Sequence, residues 1–257
     1  MPFTFAHPAA VLPLRRSRFL LILPLLVGSV VPDVPDYFPH RLARLLTDTH
    51  SFYGSIVICL PLGMAILVAG LLLREPLTVL LSARARAACL DAAERFGDRP
   101  LHWPIALVSI LLGAWSHIAW DSFTHPDGWT TLRVAALNAP ISLFGWEMTV
   151  THLLQYVSSV FGLVVVALWI RGVLRRTPPP AQGDILAPRV RRPILVLIVA
   201  AAILAGALLT WRAWSAAGYY HLGYLMLTRT IAWFMTLYLA AGLLATINRR
   251  GVLEPAG

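Results

Sequence analysis

The chain has 257 residues, of which 58% are hydrophobic and 13% charged, with a formal net charge of +9 and a mean hydropathy of +0.71. Soluble domains carry about 25% charged residues, so this composition excludes intrinsic disorder and collagen-like sequence and argues against a soluble nucleic-acid binder. A multi-pass, all-α membrane protein is the expectation. All 21 basic residues are Arg, which leaves no lysine for Schiff-base chemistry, and the two cysteines, Cys59 in an apolar run and Cys89 in a polar loop, imply no disulfide framework.

Taken in chain order, the first apolar run, 19–31, follows Arg15, Arg16 and Arg18 and stops at Val31-Pro32-Asp33. It is short for a span, and reads either as a thin crossing or as the rising arm of a re-entrant hairpin whose descending arm is 8–16. The runs 53–74, 103–122, 151–173, 193–214 and 222–247 each approach or exceed the roughly 20 helical residues that cross a hydrocarbon core. About six transmembrane segments are therefore predicted. If all six cross, one set of alternate ends and loops holds Arg15, Arg16, Arg18, Arg74, Arg84, Arg86, Arg95, Arg99, Arg171, Arg175, Arg176, Arg189, Arg191, Arg192, Arg249 and Arg250, and the other holds Arg41, Arg44 and Arg133. Arginine collects on the cytoplasmic side, so both termini are expected in the cytoplasm, with 32–52, 123–150 and 215–221 outside. Residues 1–174 contain seven of the eight histidines and are expected to form the membrane core. Residues 175–192 read as a basic, Pro-containing cytoplasmic linker, and 193–250 as a C-terminal transmembrane hairpin.

Ionisable residues at membrane depth are costly and usually face a protein interior or a water-filled cavity. The densest group is Ser116-His117-Ile118-Ala119-Trp120-Asp121-Ser122-Phe123-Thr124-His125. His117 and Asp121 are four apart near the outer end of a predicted span, so both project from one helix face, a spacing suited to imidazole and carboxylate ligation of a metal. His125 adds a third donor if the helix continues to Thr124. A capping hydrogen bond between His117 and Asp121 is the alternative. Topology brings more donors to the same side: Asp33 and Asp36 in Pro32-Asp33-Val34-Pro35-Asp36, where the prolines are expected to hold extended backbone, and His50 just before the next span. Taken alone, the aspartates read as a solvated helix stop and His50 as an interfacial histidine. His7 starts on the other side in a six-crossing chain and joins the group only if the first segments form the hairpin. Glu147, His152 and Gln155 at the outer entrance to the fourth of the six segments, 151–173, are weaker pocket candidates.

At these residues the sequence resembles a bacterial membrane-protein family called domain of unknown function 4184. The resemblance is carried by Met1 to Ala10 (MPFTFAHPAA), Gly28-Ser29-Val30-Val31-Pro32-Asp33, Thr49-His50-Ser51, His117 to Trp129 and Leu154 to Ser159, and spans almost the whole chain. It implies a multi-pass protein of the bacterial cytoplasmic (inner) membrane. More distantly, the order His, Pro-Asp, Thr-His, His-x3-Asp is similar to the membrane-bound metal-dependent hydrolases and, through them, to the zinc-dependent phospholipase C fold. That similarity implies His7, Asp33, His50, His117, Asp121 and His125 as metal ligands, zinc as the cofactor and phosphoester hydrolysis as the reaction. The later His-x3-Glu pair of the phospholipases has no counterpart, because His152 is followed by Tyr156, which points to one or two ions.

The expected function is a membrane-embedded, metal-dependent hydrolase acting at the outer face on a lipid or lipid-linked phosphoester, with Asp36 as general base. Membrane lipids are the expected partners and nucleic acid is not. The competing expectation is a non-catalytic membrane protein in which the same residues form a structural metal or hydrogen-bonded site.

Overall fold

The computed structural model describes residues 3–97, 99–178, 180, 183–211 and 219–253, and among them the regular secondary structure is helical apart from one two-stranded hairpin. Five helical stretches are long and apolar enough to cross a membrane: Phe52–Leu72, His102–Thr124, Val150–Arg176, Pro188–Trp211 and Leu222–Asn248. Each coincides with one of the long apolar runs. The chain is thus an all-α polytopic membrane protein. Most of Val150–Arg176 has its apolar side chains exposed, including Val157, Val160, Phe161, Val164 and Leu168, a surface that water would not tolerate and lipid does. The 215–221 segment falls largely outside the described residues.

The chain divides into two compact units. The first comprises Met1–Pro35, Arg44–Val68 and Arg95–Val173. Its short first run is a helix of nine residues, Ile22–Val30, about 13 Å long at 1.5 Å per residue and well short of a roughly 30 Å hydrocarbon core. It is preceded by a helix at Pro8–Val11 and a 3-10 turn at Leu12–Arg16. The ends of this segment meet, since Thr4 Oγ1 donates to Asp33 Oδ2 at 2.7 Å. The first segments therefore form the hairpin, with Arg15, Arg16 and Arg18 towards its turn and His7 and Asp33 together at its open end. Pro32 and Pro35 sit in a 3-10 helix, Val31–Tyr37, and not in the extended backbone expected for them. Proline's fixed φ near −65° suits a 3-10 turn as well as an extended one.

The hairpin is seated by close helix contact. Gly28 on Ile22–Val30 and Gly113 on His102–Thr124 face each other's backbones: a Cβ on Gly113 would lie 2.5 Å from the Leu25 carbonyl oxygen, and one on Gly28 would collide with the Ile110 carbonyl. Small residues let helices in a membrane approach this closely, where packing rather than water exclusion drives association. Leu25, Val31, Ile110 and Ala114 are fully buried in and around this contact. The N-terminal turn Thr4–Ala6 is held against Val150–Arg176, where Gly162 leaves room for Ala6 and Phe3 N donates to Ser159 Oγ at 2.9 Å. The Phe52–Leu72 stretch begins at the N-cap Ser51, whose Oγ accepts from Gly54 N, and widens into a π turn at Ser55–Cys59 ahead of Pro61, which has no N–H to continue the ladder. The hairpin Pro140–Leu143/Trp146–Thr149 turns through Phe144 and Gly145 at positive φ (54° and 81°), the backbone of a tight primed turn. The sequence does not mark strands here, since Phe144-Gly145 is a weak turn signal.

The second unit comprises Asp36–Ala43, Ala69–Glu94 and Leu174–Gly257. Its helices Pro188–Trp211 and Tyr219–Leu253 pack on each other around Gly206, which lies against Thr230. Cys89 is on a helix, Ala83–Gly97, and not in a loop. Asp184 joins the segments: its Oδ1 accepts from Ala83 N at 2.6 Å and its Oδ2 meets Arg191 at 2.8 Å.

Gly113→Ala is expected to lower the thermal midpoint in detergent by the equivalent of about 1–3 kcal/mol, the usual cost of overpacking. Gly70→Ala, where a Cβ meets nothing within 4 Å, is the control and should leave the midpoint unchanged or raise it.

Candidate metal centre

The donors come from three parts of the first unit. His117 and Asp121 lie on His102–Thr124, where the i,i+4 spacing puts both on one buried face. Asp33 enters from the 3-10 turn that ends the hairpin, and His50 from the loop before Phe52. His117 Nε2 is 3.1 Å from Asp121 Oδ2 and 3.3 Å from Asp33 Oδ1; His50 Nε2 is 3.3 Å from Asp33 Oδ1 and 3.5 Å from Asp121 Oδ2. Donors from these four residues all lie within 4.8 Å of one another. Two atoms each about 2.0–2.1 Å from a shared tetrahedral ion stand roughly 3.3 Å apart, a spacing that the four imidazole–carboxylate pairs match.

Hydrogen bonding does not account for the cluster. His117 Nε2, Asp33 Oδ1 and both carboxylate oxygens of Asp121 are buried without a hydrogen-bond partner among the described residues. Leaving such groups unpaired costs on the order of 1–3 kcal/mol each, and more for charged ones. A cation among them would satisfy His117 Nε2, Asp33 Oδ1 and one oxygen of Asp121 at once, so the residues fit a bound metal. An N/O donor set with two carboxylates suits zinc and other first-row divalent ions.

Neighbouring groups aim the donors. The Ser29 carbonyl lies 2.8 Å from His117 Nδ1, fixing that nitrogen as the N–H and leaving the Nε2 lone pair for the centre. This contact follows from the close approach of the two helices, since Ser29 is next to Gly28 and His117 is one turn beyond Gly113. Thr4 Oγ1 donates to the second oxygen of Asp33. Thr49 donates to the Pro32 carbonyl at 2.8 Å, and its Oγ1 is 3.1 Å from His50 Nδ1. Thr4, Ser29 and Thr49 were not singled out in the sequence, because lone hydroxyl residues carry no spacing signal.

The other expected donors divide. His7 is 1% exposed and its Nε2 lies 3.5 Å from Asp121 Oδ1. His125 caps the helix that ends at Thr124, with its Nδ1 3.6 Å from Asp121 Oδ1. Asp36 belongs to the other compact unit, where its Oδ2 accepts from Tyr224 Oη at 2.6 Å. His152 sits beside Thr149, with 3.0 Å between Nδ1 and Oγ1.

Burial opposes charge on Asp33, yet the His117 imidazole beside it outweighs this and holds its carboxyl well below the ordinary range. Burial, followed by the neighbouring His117, pushes His7 down to about 3, so it is neutral at physiological pH. For His50, burial is overcome by the facing carboxylates of Asp121 and Asp33, which raise it to about 9.

A family model described as Domain of unknown function (DUF4184) matches residues 1–247. The chain belongs to this family. No curated protein and no solved structure matches it. As a DUF4184 protein it carries a buried Asp/His cluster able to hold a metal ion.

Thr4→Val, which removes the support of Asp33, is expected to weaken metal binding by about 10–100-fold, as loss of such supporting contacts does, measured by chelator competition. Metal must displace the proton that His50 carries below about 9, so affinity should rise at least about tenfold per pH unit between pH 6.5 and 8.5. Without metal the sign reverses. Stability contributed by the raised His50 pKa is present in full below 6.5 and is lost as pH rises through about 9. Calorimetric titrations and melting curves with and without metal at several pH values check both.

Proposed function

We propose that this protein is a membrane-embedded, zinc-dependent hydrolase that acts on a lipid or lipid-linked phosphoester. The observation that carries the reading is the set of converging donors of Asp33, His50, His117 and Asp121, with buried atoms that lack hydrogen-bond partners. Catalysis is favoured over a structural role by His50, whose side chain is 39% exposed while those of Asp33 and His117 are almost fully enclosed. A structural zinc site is closed by protein on all sides, whereas a catalytic one keeps a position open.

When bound, the ion would activate a water and neutralise charge on a phosphoryl oxygen. The chain's own residues prepare that chemistry. Asp33 and Asp121 supply two negative charges that match a dication. The Ser29 carbonyl and the Thr4 hydroxyl hold His117 and Asp33 in place before substrate arrives, so little reorganisation remains for the reaction. His50 stands at the accessible side.

The substrate class follows from placement. His50 precedes the span Phe52–Leu72 and His125 follows the span His102–Thr124, whereas the opposite ends of these two spans run into Arg74, Arg95 and Arg99. Arginine collects on the cytoplasmic side, which favours the outer face for the centre, where a phosphoester attached to a lipid would meet it.

Zinc-loaded protein in detergent should release phosphate or a phosphorylated headgroup from at least one member of a lipid-phosphoester panel. His117→Ala and Asp121→Asn should lose both turnover and metal. Zinc-dependent thermal stability without turnover on any substrate would favour the structural reading, and full zinc content in a folded His117→Ala variant would sink both.

A further inference from the structure

A cavity of about 660 Å³ opens in the second unit, and every residue that lines it belongs to that unit. Ligand pockets commonly enclose about 300–1,000 Å³. Asp36 and His40 line it together with Tyr224, Arg229 and Trp233 of the last span, Leu222–Asn248. It lies beside the start of that span and, through Leu209, beside the end of Pro188–Trp211. The opposite ends of these two helices carry Arg189, Arg191, Arg192, Arg249 and Arg250. Arginine collects on the cytoplasmic side, which puts the cavity in the outer leaflet.

Arg229 is the anomaly. A charge within a span is costly and marks an interior contact or a ligand path, yet Arg229 has no ion-pair partner among the described residues. Its hydrogen bond there runs from Nη1 to the Leu209 carbonyl at 2.5 Å, one of the last carbonyls of Pro188–Trp211, which no later turn of that helix satisfies. Capping the helix end employs one of the five N–H donors of a guanidinium and leaves a fork that matches a phosphate. Asp36 supplies the opposite charge. Its Oδ2 accepts from Tyr224 Oη at 2.6 Å, and a carboxylate has lone pairs for further donors. Tyr224 precedes Arg229 by five residues, about 7.5 Å along the helix axis, so the acid stands nearer the outer end of the span and the base deeper.

We propose that this cavity binds the headgroup of a zwitterionic phospholipid, with its phosphate on Arg229 and its ammonium on Asp36. Among the described residues that line the cavity, Asp36 and Arg229 carry the permanent charges, one of each sign. That balance suits a zwitterion, whereas an anionic headgroup would bring a second negative charge towards Asp36. The order of the residues also fits. A phospholipid's phosphate adjoins its acyl chains and its ammonium ends the headgroup, and the cavity presents Asp36, then Arg229, then the apolar wall. Trp233, one turn deeper than Arg229, is 41% exposed and offers a large apolar surface to an acyl chain. Asp36 then serves lipid binding and not proton transfer. The site stands independently of the metal centre, since none of its lining residues belongs to the first unit.

Delipidated, full-length protein in detergent is titrated with dioleoyl phosphatidylethanolamine and, separately, with dioleoyl phosphatidylglycerol, and bound lipid is counted by native mass spectrometry. The wild type should fill one tight site with the ethanolamine lipid, about tenfold more tightly than with the glycerol lipid. Arg229→Gln should weaken that site by about tenfold or more, the usual effect of losing charge-assisted hydrogen bonds to phosphate. Asp36→Asn, which can still accept from Tyr224, should abolish the preference between the two lipids. Glycerophosphoethanolamine, the headgroup without its chains, should not displace the lipid at equal concentration. Unchanged affinity in Arg229→Gln, a wild-type preference for the glycerol lipid, or displacement by the chainless headgroup would each overturn the proposal. Should Arg229→Gln fail to fold, the comparison of wild type with Asp36→Asn decides, and an unaltered preference would refute the site.

Discussion

Two carboxylates, Asp33 and Asp121, are buried in an apolar molecule against imidazoles that do not hydrogen-bond to them in good geometry. Burying an ionised carboxylate costs several kcal/mol even after relaxation, so a fold that gathers two of them, with His7, His50 and His117 alongside, must compensate them. Ion pairing to His50 and His117 offsets part of this cost. Much of the first unit can be understood as the scaffold that holds these charges together until something of opposite charge joins them.

That scaffold depends on backbone proximity more than on side-chain bulk. Gly28 and Gly113 let the short hairpin helix lie directly on His102–Thr124, and from that contact the Ser29 carbonyl reaches His117 and orients its ring. The same seating returns the chain so that Thr4 meets Asp33 and His7 stacks on His117. Packing and ligand orientation are therefore one arrangement, and a methyl group at Gly113 would disturb both. The second unit contributes differently. Its two long helices are tied to the 69–94 region by Asp184, Arg191 and a hydrogen bond from Tyr238 Oη to the Leu77 carbonyl, and none of the four converging donors belongs to it.

Much of this was legible in the residues. Runs of apolar residues at membrane length locate the five long helices, because hydrocarbon leaves a backbone few ways to satisfy its own polar groups. The His117-x3-Asp121 spacing is legible for a similar reason, since helix geometry alone puts both side chains on one face. Less legible were the 3-10 turn around Asp33, where proline permits two conformations, the exposed hairpin at Pro140–Thr149, and the helix carrying Cys89. Asp33 and Asp36 look alike in sequence, yet one turns into the cluster and the other bonds to Tyr224. The hydroxyls of Thr4 and Thr49 and the carbonyl of Ser29 were invisible, because a lone hydroxyl or a backbone carbonyl leaves no pattern.

The sequence by itself therefore determined the membrane character, the number and extent of the long helices, and the presence of histidines and aspartates near span ends. These depend on composition and local periodicity, which one segment can express alone. Only the tertiary structure decided that residues 3–31 fold back as a hairpin, that His7 lies against His117, and that Asp121 faces two groups of donors. Those outcomes depend on where Gly28 meets Gly113, a contact between residues 85 positions apart that no local pattern encodes.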